Sequence, residues 1–162
     1  MSYKLEAFIL NHRAADMLPD NLRHLHRFPL GDKLTLVPCT RQLYNEVRTT
    51  FGEPKHDPYE DTLFTGLHPA LAQIAAKISA VSPVLYLEVD VVGGIGDRTA
   101  IVWHKGEAVY GPSEGGSHVT EALRVFGQRE GLSSDQMGKL GIFRHRFTED
   151  WVPHVENGND QK

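Results

Sequence analysis

Residues 84–92 read VLYLEVDVV, residues 99–104 read TAIVWH, and GGIGDR at 93–98 joins them. β-Branched and aromatic residues dominate both runs, and glycines supply the backbone freedom a turn needs, so the pair reads as a β-hairpin. Side chains alternate along a strand, which puts Leu85, Leu87, Val89 and Val91 on one face, a core face. The other face carries Val84, Tyr86, Glu88, Asp90 and Val92. A turn centred on 93–98 sets Glu88 opposite Val102 and Asp90 opposite Ala100. His104 then falls on the acidic face near Tyr86. A slip of one residue moves His104 to the core face.

Outward from the hairpin, Lys105-Gly106 suits a tight two-residue turn into a third strand at 107–110, and Gly111-Pro112 closes the meander. Upstream, Pro69 opens a helix whose stripe is Leu71, Ile74, Ala75, Ile78 and Val81, ended by Ser82-Pro83. YKLEAFIL at 3–10 reads as a first strand, followed by a short helix in the polar stretch before Asn21. Pro29 and Gly31-Asp32 mark a turn, and Leu34–Val37 is a strand stopped by Pro38. Thr40 caps a helix over 41–51 with Leu43, Tyr44, Val47 and Phe51 on one face, and Gly52 stops it. Residues 53–66 read as an irregular loop. Ser117 caps a helix over 118–127, and Ser133 with Gln136 forms a capping-box pattern for one over 134–140. The expectation is an α+β domain over residues 1–152. It has a single mixed or antiparallel sheet of about four or five strands, a central β-meander and three to four packed helices. Residues 153–162 form a polar tail.

The chain has 162 residues, a net charge of −4 and one cysteine. That length suits one core, and the charge argues against a nucleic-acid binder. No apolar run reaches the roughly 20 residues that span a bilayer. With one cysteine there is no intrachain disulfide and no CxxC cluster, and the start of the chain lacks a cleavable leader's pattern, so the expected compartment is the cytoplasm. Cys39, next to Leu36 and Val37, reads as a small core residue.

Several patterns bear on chemistry. The Gly93–Gly96 run is neither a dinucleotide fingerprint nor a P-loop, and a strand rather than a helix follows it, so it reads as hairpin glycines. There are nine histidines, but His24 and His26 lack further ligands at a metal-site spacing, and HExxH is absent; no metal and no cofactor are expected. Tyr86, Glu88 and Asp90 read either as a polar working face or as a solvated sheet face. Arg144 and Arg146 read as internal ion-pair partners for Glu88 and Asp90, with an anion site as the alternative.

Tyr86-Leu87-Glu88, Gly93-Gly94-Ile95-Gly96-Asp97 and Ala100–Trp103 together resemble a YxE…GGxG…AxVW hairpin shared by small, largely uncharacterised bacterial proteins. Ala122-Leu123-Arg124 and the 141–151 segment extend the resemblance over residues 80–151. Members are similar in size and charge to immunity proteins that neutralise bacterial toxins. The expectation is a protein-binding inhibitor that presents Tyr86, Glu88 and Asp90, with Asp57, Tyr59, Glu60 and Asp61 from the loop, to a basic toxin. The alternative is a small hydrolase or ligand-binding enzyme with Glu88 and Asp90 as catalytic carboxylates and His104 or His145 assisting. A homodimer through an exposed strand edge is a third reading.

Overall fold

The computed structural model describes residues 2–53, 64, 66–93, 95–114 and 118–153, with the backbone alone at Asp97, Ser113, Glu114 and His118. It is α+β. Six strands form one sheet: β1 (Ser2–Asn11), β2 (Phe28–Leu30), β3 (Leu34–Pro38), β4 (Val84–Val92), β5 (Ile95–His104) and β6 (Glu107–Glu114). Their spatial order is β2-β3-β1-β4-β5-β6, and every ladder is antiparallel. The sheet is wider than the expected four or five strands. The extra strand is β2, where Pro29 sits on an edge that needs no donor from it. A one-residue parallel bridge from Lys4 to Phe147 covers the flank of β1 beyond the end of β3.

The helices are α1 (His12–Ala15), α2 (Arg41–Phe51), α3 (Pro69–Ile78), α4 (His118–Glu130) and α5 (Ser134–Gly138), followed by a 3-10 turn at Thr148–Trp151. Local signals set most of their starts. Thr40 accepts the Leu43 N–H, and Ser133 with Gln136 forms the reciprocal capping box. The cap expected of Ser117 lies outside the described residues. α3 stops at Ile78, short of Val81, which is left 59% exposed. Pro83 has no N–H to offer the Ser79 carbonyl four residues earlier, so the helix cannot continue through it. That carbonyl accepts the Lys105 N–H instead, and the Ser79 hydroxyl accepts the Gly106 N–H, which ties the end of α3 to the β5–β6 turn. That turn has positive φ at both Lys105 and Gly106, as a two-residue hairpin requires. Gly111-Pro112 lies within β6 instead of closing the meander.

Helices cover both faces of the sheet. Phe8, Leu10, Val37, Val84, Tyr86, Ile101 and Trp103 form one core with side chains of α1, α2 and α3. Leu5, Ile9, Leu36, Leu85, Leu87 and Val102 form the other with Phe126 of α4, Met137 of α5 and Trp151. The face with Tyr86 and Glu88 is therefore no open sheet surface.

The hairpin register differs from expectation. Val92 pairs with Ile95, so Glu88 lies opposite Thr99, not Val102, and Asp90 opposite Asp97, not Ala100. The slip from 102 to 99 is three residues, an odd number, which exchanges the faces of β5. His104 consequently lies on the face opposite Tyr86. Its Nδ1 is 2.9 Å from an Arg129 guanidinium nitrogen of α4.

Candidate functional site

β1 and β4 are neighbours, and their register places Glu6 directly opposite Glu88, and Lys4 opposite Asp90. The Glu6 N–H donates to the Thr148 hydroxyl, and its carbonyl accepts the Cys39 N–H. Both backbone groups of Glu6 thus point away from β4. Glu6–Glu88 is a non-hydrogen-bonded cross-strand pair, the kind whose side chains come closest. Two like charges directly opposite one another cost stability unless other groups hold them.

Glu88 is held firmly. It is 6% exposed, and its Oε2 accepts the Tyr86 hydroxyl at 2.6 Å and the Gly66 N–H at 2.7 Å. Tyr86 is itself buried, and burial, followed by the Glu88 charge, pushes its phenol well up. Gly66 lets the chain pass close to the pair: a Cβ there would lie 2.6 Å from Glu6 Oε2. Glu6 lines a polar cleft of about 790 Å³ with Lys4, Thr40, Arg41, Tyr44 and Glu149. The first turn of α2 faces the same region, where Glu149 accepts the Arg41 N–H.

Cys39 is buried; burial first, then Glu6 and Glu88, raise its thiol well above the ordinary range. It is a thiol at neutral pH, not a nucleophilic thiolate. Iodoacetamide at pH 8 should leave Cys39 unmodified in the folded protein and alkylate it quantitatively in guanidinium, as followed by intact mass. Rapid native labelling would show that the site opens. His68, edge-on to the Tyr44 ring, accepts the Ala70 N–H at Nδ1. Nε2 therefore carries the proton and faces the Gly52 carbonyl at 3.2 Å. Nδ1 thus caps α3, and Nε2 ties it to the residue that ends α2.

The sequence-predicted residues separate. Tyr86 and Glu88 meet, but buried, with Glu6 as the neighbour that sequence reasoning missed. Asp90 shares their face and is exposed. His104 is on the other side of the sheet, where burial, then Arg129 and Lys105, lower its pKa. His145 packs edge-on against Trp151. Neither joins the carboxylates. Arg144 and Arg146 do not serve as ion-pair partners for Glu88 and Asp90: Arg144 donates to the Gly141 and Leu140 carbonyls, and Arg146 to the Ser2 carbonyl. Asp57, Tyr59, Glu60 and Asp61 lie outside the described residues. Among the described residues, no group of three or more His, Cys, Asp or Glu is placed to hold a metal ion, and no helix is long and apolar enough to cross a membrane.

No family model matches the chain, and neither a curated protein nor a solved structure does.

Proposed function

We propose that the protein is a protein-binding inhibitor of the immunity type, neutralising a bacterial toxin, and that the polar cleft beside Glu6 is its docking point. The observation that carries this reading is the Glu6–Glu88 pair, which sets two carboxylates side by side where β1 and β4 meet a cleft that Lys4, Arg41 and Glu149 also line. Hydrogen bonds from Tyr86 and Gly66 fix Glu88 before any partner arrives. A prearranged acceptor of this kind suits a basic side chain projecting from a toxin, with exposed Asp90, opposite Lys4, at the rim of the same face. Asp57, Tyr59, Glu60 and Asp61 remain candidates for the same surface on their sequence alone.

The groups around the pair favour holding over proton transfer. Cys39 is protonated and His68 is locked as a helix cap. The alternative of a small hydrolase needs a histidine beside Glu88 and Asp90, and the described His104 and His145 face elsewhere.

The test is co-expression with toxin candidates encoded beside the gene, read as growth rescue and as a complex surviving gel filtration. One candidate should be neutralised. Glu6→Lys should then weaken the complex by at least about tenfold, chiefly in a salt-sensitive way, without lowering the melting temperature by more than a few degrees. Full rescue by Glu6→Lys, or no complex with any candidate, would overturn the assignment.

A further inference from the structure

On the other side of the sheet from this cleft, α4, α5 and the turn at 141–144 enclose a groove of about 530 Å³. That volume lies within the range of small-molecule sites. Leu123, Met137, Ile142 and Phe143 line it, with Arg124 and Arg144 among the polar residues. Phe143 is 43% exposed, a large apolar surface left at the groove.

The two arginines differ. Arg124 is paired with Glu121 one turn earlier on α4, so its charge is answered. Arg144 is paired with no carboxylate among the described residues. Its Nε donates to the Gly141 carbonyl at 2.9 Å and Nη2 to the Leu140 carbonyl at 2.8 Å. Its guanidinium carbon stands 5.1 Å from the centre of the Trp151 ring. Gly141 makes this seat: φ is +76°, and a Cβ there would come within 3.0 Å of the guanidinium. The fork is exposed but held by two carbonyls and a ring, and its remaining N–H groups have no protein acceptor among the described residues. Planar, charge-assisted donors of this kind recognise carboxylates.

We propose that this groove binds a small amphipathic monocarboxylate, with its hydrocarbon body among Leu123, Met137, Ile142 and Phe143 and its carboxylate on Arg144. One positive charge with no carboxylate partner among the described residues, beside a mostly apolar cavity, matches one negative charge on an apolar body. A small, highly charged anion would leave the apolar walls unfilled. The site is independent of the docking cleft and does not rest on it.

Decanoate is the probe, titrated into isotope-labelled protein and followed by amide chemical shifts, with decan-1-ol and decyltrimethylammonium as controls. Decanoate should saturate, with its shifts clustered at residues 120–144. Decanol should bind at least about tenfold more weakly, and the ammonium should not bind. Arg144→Gln should weaken decanoate by at least about tenfold and leave decanol unchanged. If that variant fails to fold, Gly138→Leu decides. Gly138 lines the groove, and a Cβ there meets nothing within 4 Å, so the larger side chain should fill the space and abolish decanoate binding. Equal affinity for decanoate and decanol, shifts centred elsewhere, or unchanged binding in either folded variant would each overturn the proposal.

Discussion

Glu88→Ala is expected to destabilise the protein by about 3 kcal/mol, measured by urea denaturation. The substitution strips the acceptor from a buried tyrosine hydroxyl and from the Gly66 N–H, and each stranded donor costs about 1–3 kcal/mol. Relief of the repulsion with Glu6 works against this, at roughly 0.2–1 kcal/mol for a cross-strand pair, and does not reverse the sign. Glu88→Gln keeps a carbonyl oxygen able to accept both bonds and should lose only about 1 kcal/mol. The decisive comparison is Tyr86→Phe in two backgrounds, the unmodified chain and the Glu88→Ala variant. It should cost more than about 1 kcal/mol where Glu88 is present and almost nothing where that carboxylate has been removed, because the hydroxyl is then already stranded. Additive costs would show that the two residues are not coupled, and the fixed negative charge behind the cleft would lose its support.

The second large effect belongs to the hairpin. Gly96→Ala should destabilise by about 3 kcal/mol or more, because a Cβ there would lie 1.9 Å from the Asp90 carbonyl oxygen and 2.7 Å from the Val91 Cα. Those are backbone atoms of the paired strand, so relief requires the β4–β5 ladder to shift, beyond the usual 1–3 kcal/mol of overpacking by a flexible side chain. Gly93→Ala is the contrast. Its φ is +62°, but nothing lies within 4 Å of the added carbon, so the cost is the left-handed backbone alone, roughly 1–2 kcal/mol. Similar melting curves for the two variants would argue against the paired register of Val91 with Gly96.

That register marks the boundary of what the sequence expresses. Features decided within a few residues were legible: β4 spans the anticipated 84–92, and α2 runs over 41–51 from the Thr40 cap. The hairpin pairing was not, because Gly93–Gly96 offers few side chains to discriminate a short turn from a long one. β2 was missed because three residues around a proline carry too little alternation to identify a strand. At the site, Tyr86, Glu88 and Asp90 were visible as polar groups in an apolar run. Glu6 was visible in the same sense, between Leu5 and Phe8, but nothing local says that residue 6 will face residue 88. Arg144 and Arg146 were misread because carboxylates are their commonest partners, whereas here the nearest acceptors are main-chain carbonyls brought close by Gly141 and by the start of β1.

The outer strands carry a final consequence. β2 is three residues long and includes Pro29. The ladder joining β6 to β5 is interrupted twice, between Ala100 and Val102 and between Val102 and Trp103, and β6 contains Pro112. A flat run of free main-chain donors and acceptors is what templates fibrils, and among the described residues Pro29 breaks it on one border and Pro112 with the β5–β6 irregularities on the other. Self-association by pairing of these described edges is therefore disfavoured. The same geometry guards against fibril growth when many copies crowd together.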